Sequence, residues 1–499
     1  MAYVSLNLYV LCFQPCRPIA RVLTGLPNDE LSCLDFLSRP RNIYLDRARM
    51  HFLPKGTGPI TMLMKRLSFI FLLSTLFSAA LVHGATFTAA SCNTSDVQTA
   101  INSAANGDTV VIPNGSCSWS SGISTGKQIT LQGATAGGVT ITHNAGSGTL
   151  LTVNIGSSFH TTIANLNFLP GGGTGNYITV QGTGMVPLMH DCRFNLPNFQ
   201  LQQAVQWNVT GGVIWNTTFE STQNLSGACG SQVGSDSGCL VVKPTKNWDD
   251  ASTLGALDTT GTNNLYIEDS VFSNVGQCPD MDDNARVVVR HSQIIGSSGL
   301  THGPTSTYGG RQFEFYDNAM TYPNINRNLN RYFWTRAGTG VITGNSVQAL
   351  SGQCYGNKDS FTFIVESATR AQSHGCCTSY MCFHQPGSGS DGTSGHTFLS
   401  PSQTPYDSFQ QSDPIYIWNN TGAGQTNVGL NDSDMSCSTG NTTATFFVRN
   451  RDYFVDGTSN PNNGAKPGWA RFTYPHPLRQ GTGAGSSPAP PTNLQATVQ

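Results

Sequence analysis

The chain has 499 residues, only 11% of them charged, and a formal net charge of −2. Soluble globular proteins usually carry roughly 25% charged residues, and the 26 basic residues here are spread without runs, which excludes the clustered basic face that nucleic-acid binding requires. The 54 glycines, among abundant Ser, Thr and Asn, suit many short strands joined by tight turns.

In chain order, residues 1–63 show neither repeat nor Gly-rich turns and hold Cys12, Cys16 and Cys33. We read them as an extension from a mis-assigned start, with initiation at Met62 or Met64. Residues 64–84 then form a secretory signal peptide. Lys65-Arg66 gives the basic start, LSFIFLLSTLFSAALVHG the apolar stretch, and Val82 and Gly84 the small-residue exit before Ala85. The apolar stretch is marginal for a bilayer span. This predicts a secreted or cell-surface protein with no stable membrane insertion after cleavage.

Eleven cysteines follow the cleavage site, at 92, 117, 192, 229, 239, 278, 354, 376, 377, 382 and 437. In an exported chain they point to disulfides. Cys92 with Cys117 would staple the first cap, and Cys229 with Cys239 would close a Gly/Ser loop. Cys376, Cys377 and Cys382 lack the paired CxxC spacing of a metal site. The odd count leaves one thiol free or one pairing unusual.

After the signal, Thr94 or Ser95 can cap a short helix whose Val97, Ala100, Ile101 and Ala104 share one face. Gly107-Asp108 ends it, and Thr109 to Ile112 reads as a strand. A strand phrase then recurs: apolar, any, apolar, any, Asn/Asp/His, any, any, apolar. It reads TTIANLNF ending at Phe168, PLMHDCRF at Phe194, LYIEDSVF at Phe272, VVVRHSQI at Ile294 and FEFYDNAM at Met320. Its fifth position falls at Asn165, Asp191, Asn216, Asp269, His291, Asp317, Gly344 and Asn419, at intervals of 26, 25, 53, 22, 26, 27 and 75. The two long intervals are close to two and three periods of about 25, a spacing that signals a stacked-repeat architecture. Ile163, Ile214, Ile267, Val289 and Phe315 are expected to stack inward, and the fifth position to turn the chain in left-handed geometry. The helix would cover the open end of the coil.

DVQTAINSAANGDTVVIPNG, followed by these phrases and the ending RDYFVDGTSNPNNGAKPGWARFTYPHPL, resembles the secreted bacterial parallel β-helix proteins of the pectate-lyase-like superfamily. The resemblance implies an all-β, single-stranded right-handed parallel β-helix over residues 85–480 with an N-terminal capping helix, acting as a monomer. YPHPL reads as a rigid C-terminal wrap. Residues 481–499 read as a Gly/Ser/Pro linker whose end, APPTNLQATVQ, resembles the opening strand of a fibronectin type III domain.

Charge concentrates between 282 and 336, in Asp282, Asp283, Arg286, Arg290, His291, His302, Arg311, Glu314, Arg327, Arg331 and Arg336. With Val287 and Val289 inward, Arg290 points outward. The same phasing puts Glu314 and Tyr316 outward, with Arg290 beside Tyr316. Lyases of the resembled fold abstract the proton beside a uronate carboxylate, using a base and a cation. The resemblance therefore implies a catalytic set of Arg290 or Arg311 as base or clamp, His302 as proton-transfer partner and Glu314 beside them. Tyr316, Arg331, Trp334 and Arg336 are expected to bind the polysaccharide, with the aromatics as a stacking platform. GSSGLTHG resembles the region around the catalytic arginine of alginate-lyase-type β-helices, with Leu-Thr-His-Gly where they carry Leu-Arg-His-Gly. Their catalytic Lys has no clear counterpart.

Neither Asp249-Asp250 nor Asp282-Asp283 comes with the Gly-His-Gly that pectin hydrolases show. No cofactor or metal is assigned. Asp280, Asp282 and Asp283 offer hard oxygens to Ca2+, against the simpler reading of a solvated loop. Structural readings stand beside the catalytic ones: Arg290 paired with Glu314, His291 as a turn residue, and 331–336 as a packed corner. The sequence thus supports a lyase of an acidic polysaccharide or, alternatively, a non-catalytic extracellular glycan-binding or adhesin-like β-helix.

Overall fold

The computed structural model describes residues 84–480, apart from 197–202, 222–238, 245–257, 303–308, 323–330, 350–359, 366–379, 391–409, 423–426, 433–434, 436–439, 457–463 and positions 364, 381 and 383. The N-terminal extension, the signal peptide through His83 and the linker 481–499 lie outside the described residues.

Each coil contributes three short strands, one to each of three long sheets. The first sheet has 12 strands, from Thr86–Thr88 to Tyr453–Val455. The second has 10, from Gly115–Trp119 to Thr421–Gly422, and the third 10, from Ile123–Thr125 to Val428–Leu430. Every pair within them is parallel and joins successive coils, as in Ile214↔Ile267, Phe219↔Phe272 and Val205↔Leu240. The molecule is a parallel β-helix. A small antiparallel pair, Ser388–Ser390 with Gln410–Ser412, stands beside it.

The repeat phrase is the first sheet, a sharp corner and the second sheet. All eight corner residues adopt left-handed geometry: Asn165, Asp191, Asn216, Asp269, His291, Asp317 and Asn419 have φ between 48° and 60°, and Gly344 has φ 68°. Short Asx side chains tolerate this conformation. His291 is the exception in type, and its ring packs 3.8 Å from that of Tyr474.

Inside, Leu131, Ile163, Met189, Ile214, Ile267, Val289, Phe315, Ile342 and Ile417 align coil upon coil. From the second sheet, Phe168, Phe194, Phe219 and Phe272 stack with centroids 5.1, 5.1 and 5.4 Å apart. Each is fully buried, a burial worth roughly 1.5–3 kcal/mol per side chain.

From Asp269 on, the residue after each corner builds a polar ladder in the same interior. The backbone N–H of Ser270 donates to Ser292 Oγ at 3.1 Å, that of Ser292 to Asn318 Oδ1, that of Asn318 to Asn345 Oδ1, and that of Asn345 to Asn420 Oδ1, the last three at 3.0 Å. The side-chain amides of Asn318, Asn345 and Asn420 donate to the carbonyls of Val289, Phe315 and Ile342 at 2.9–3.0 Å. Corner amides that the sheets leave unpaired are thereby satisfied.

The helix α1 (Thr94–Ser103) caps the coil, burying Val97, Ala100 and Ile101. Its N-cap is Asn93, one residue earlier than expected, and makes no side-chain capping bond. Lys127 Nζ instead secures the far end, donating to the carbonyls of Ile101 and Asn102 at 2.9 and 2.6 Å. The disulfide Cys92–Cys117 staples this cap as the sequence suggests. Cys239, however, pairs with Cys278 of the adjacent coil rather than with Cys229, which lies outside the described residues. Cys382 is also disulfide-bonded, and Cys192 is a free, buried thiol pushed up to about 12 by burial.

Candidate functional site

Two outward regions carry charge. The first is the face of the first sheet, where one column runs Tyr266, Val288, Glu314, Val341 and the next Glu268, Arg290, Tyr316, Thr343. Arg290 does lie beside Tyr316, with Glu314 in the adjacent column. The C-terminal segment covers both columns. Arg290 Nε donates to Glu268 Oε1 at 2.8 Å, and Nη2 bonds the same oxygen. Nη1 donates to Tyr316 Oη and to the Phe472 carbonyl at 2.8 Å, and Nη2 to the Thr473 carbonyl at 2.7 Å. The second oxygen of Glu268 accepts from Arg479 Nη1 at 2.7 Å and from the His476 amide at 3.1 Å. The rings of Tyr266, Tyr316, Phe472 and Tyr474 surround the guanidinium at 5.4–5.8 Å.

Glu268 and Arg290 are both 0% exposed. Burial alone would raise the Glu268 carboxyl; Arg290 and Arg479 outweigh it and hold it below the ordinary range. Glu314 is equally buried, its Oε2 accepting from Trp469 Nε1 at 3.1 Å and its Oε1 from Gln312 Nε2 at 3.2 Å. A polysaccharide cannot reach Arg290, Glu314 or Tyr316 while Trp469–Arg479 lies across them. The ion pair of Arg290 is made with Glu268 of the preceding coil, not with Glu314, because the guanidinium turns back toward the carboxylate that Arg479 also holds.

The second region is the edge of the third sheet, where the chain leaves it for the first. Val242, Met281, Thr301 and Thr335 align across four coils. The next residue of each is charged or titratable: Lys243, Asp282, His302 and Arg336. Their backbone pairing continues the ladder, Asp282 N–H to the Val242 carbonyl at 3.0 Å, His302 to Met281 at 2.8 Å and Arg336 to Thr301 at 3.1 Å. Beside them the outward column holds Val241, Asp280 and Trp334. At Gly310, beside this edge, a Cβ would come within 3.0 Å of Thr301 Cβ and the Met281 carbonyl.

Lys243 Nζ lies 2.8 Å from Asp282 Oδ2 and 4.0 Å from Asp283. His302 Nδ1 lies 2.7 Å from Asp280 Oδ1. The Arg336 guanidinium sits 4.2 Å from the centre of the Trp334 ring, a cation–π contact. Side-chain exposure is 34% for Lys243 and 15% for His302, so this edge meets solvent at those two residues, while Asp282, Arg336 and Trp334 are buried. Burial would lower the His302 pKa, but Asp280 and Asp282 outweigh it and hold it above the ordinary value. For Lys243, burial is likewise outweighed by Asp282.

The residues expected to share one groove thus divide. His302, Trp334 and Arg336 stand at the edge of the third sheet, while Arg290, Glu314 and Tyr316 lie under the C-terminal segment. Arg311 is fully buried, its Nη1 placed 3.4 Å from where a Cβ on Gly389 would be. Arg331 opens the strand Arg331–Thr335, and its side chain lies outside the described residues. Asp280 faces His302 and Asp282 faces Lys243, and among the described residues no group of three or more His, Cys, Asp or Glu is arranged to hold a metal. Sequence reasoning passed over Lys243 and Glu268. The signal for Lys243 is a charged residue just past an apolar strand, the same pattern that Asp282, His302 and Arg336 follow.

No protein-family profile matches the chain, and no curated protein matches it in sequence. Among solved structures it is similar to a mutant of the PL6 family alginate lyase AlyGC. Identity there is 14% and the TM-score 0.33, over 78% of this chain and 52% of that one. It is also similar to a mannuronic acid specific polysaccharide family 6 lyase from human gut microbiota, at 14% identity and a TM-score of 0.27, over 56% of this chain and 81% of that one. The chain spans about half the length of the first. No helix among the described residues is long and apolar enough to cross a membrane.

Proposed function

We propose that the protein is an exported lyase of a uronate polysaccharide and that the edge of the third sheet is its site. The observation that carries this reading is the column of Lys243, Asp282, His302 and Arg336 on successive coils beside Trp334, open to solvent at Lys243 and His302. Cations stacked next to an aromatic face suit a polymer that repeats a carboxylate on each apolar sugar ring. Arg336, on the coil next to His302, would neutralise a uronate carboxylate that reached the 5% of its surface left open, acidifying the neighbouring C5–H.

His302 is the proton-transfer group. Its Nδ1 faces Asp280, so Nε2 on the far side of the ring is the nitrogen that takes the C5 proton. The C5 electron pair then forms the C4=C5 double bond as the C4–O4 bond breaks, and O4 leaves with a proton from solvent. The disulfides Cys92–Cys117 and Cys239–Cys278 support an oxidising, extracellular setting.

The test is incubation of the purified protein with alginate, pectate and glycosaminoglycans, reading far-ultraviolet absorbance of the unsaturated product. The proposal expects absorbance to grow with at least one uronate polymer and to be lost in His302→Gln. Binding without cleavage would instead leave a glycan-binding β-helix.

A further inference from the structure

We infer that Asp280 is the positioning residue of the site, fixing which nitrogen of His302 is presented and how readily it accepts a proton. This rests on the proton-transfer reading of His302. The third sheet is irregular at one place beside this pair. Between the partners Gln277↔Ser298 and Asp280↔Leu300, one strand holds Cys278 and Pro279 where the other holds Gly299 alone. Such a bulge re-aims the side chains that follow it. Met281 packs into the core cluster, while the carboxylate of Asp280, on the opposite face, lies 2.7 Å from His302 Nδ1.

The bulge is held from both sides. Cys278 is tied to Cys239 of the preceding coil, two residues before Asp280. Opposite it, Gly299 leaves room for aromatic rings, since a Cβ there would come within 2.6–2.9 Å of Phe315 and Phe333. The side chain of Asp280 is 4% exposed, so its position is set by packing rather than by solvent.

The charged groups facing His302 are Asp280, Asp282 and Arg336, with Lys243 behind Asp282. Asp282 is committed to Lys243 at 2.8 Å. Arg336 opposes protonation of the imidazole. Asp280 is therefore the carboxylate that faces Nδ1 and leaves Nε2 for substrate, as carboxylate partners do for imidazoles in other sites.

The test is Asp280→Asn in the full chain, with two readouts: NMR titration of the His302 imidazole, and the pH profile of kcat/KM on the uronate polymer that the protein turns over. The inference expects the His302 titration to move to lower pH and the acidic limb of kcat/KM to move with it. It also expects kcat to fall on the order of tenfold or more, with KM within about twofold. Asp280→Glu, which returns a carboxylate, is expected to restore the higher titration. An unmoved His302 titration in Asp280→Asn, or activity lost with the acidic limb in place, would overturn the inference. If no polymer is turned over, the lyase reading falls, and the titration still decides the coupling of Asp280 to His302.

Discussion

The face of the first sheet and the edge of the third are built by the same coil, yet they use charge in opposite ways. On the first sheet, Glu268, Arg290 and Arg479 form a closed network whose hydrogen bonds end on backbone carbonyls of the C-terminal segment. At the third sheet, Lys243 pairs with Asp282 and Asp280 with His302, and Lys243 and His302 keep part of their surface in water. A stacked column of charged residues becomes a clasp where a chain segment lies over it, as Trp469–Arg479 does on the first sheet.

The largest effect should come from breaking the clasp. Arg290→Met leaves the buried Glu268 with Arg479 as its remaining charged partner, a loss of up to about 3–5 kcal/mol. Chemical denaturation is the check, and a loss under about 1 kcal/mol would mean that the C-terminal segment is not held by this network. At the other region His302→Gln should lower kcat on a uronate polymer at least about a hundredfold, while its denaturation midpoint moves far less than that of Arg290→Met. Next, Asn318→Ala strips an acceptor from the buried N–H of Ser292. The expected cost is about 1–3 kcal/mol, with activity per folded molecule unchanged.

The smallest effect is one of pH, and its sign separates the regions. Burial holds His476 and His291, around the clasp, below the ordinary imidazole value. Their unfolded forms therefore bind more protons, and stability is lost as pH falls below about 6.5. The pKa of His302 is raised, so its contribution is present below about 6.5 and lost as pH rises through its folded value. Melting temperatures from pH 5 to 9 should show an acid loss, and His302→Gln should remove only the alkaline one.

The fold was legible because one strand phrase encodes inward side, corner and period at once. Asn165, Asp269 and Asp317 declare the corner by type, and even His291 does so by position. The ladder residue after the corner was not legible, since Thr217, Ser270 and Asn318 share a hydrogen-bonding role without sharing a type. The candidate site was half legible. Charge density marked 282–336, but Lys243 lies 39 residues before Asp282 and His302 only 20 after it, so no fixed interval reveals that they stack. Nor can local phasing show that residues 469–479 come back across the first sheet. Arg290 points outward as its alternation requires, and its burial is decided by residues nearly two hundred positions later.

The central claim is that chemistry resides at the edge of the third sheet and not on the face of the first. Release of unsaturated product from a uronate polymer, followed by far-ultraviolet absorbance in the wild-type protein and His302→Gln side by side, tests it most directly. The account predicts steady product formation by the wild type and its near-complete loss in the variant, with both proteins folded. Equal rates in the two proteins, or no product from any uronate polymer, would contradict it.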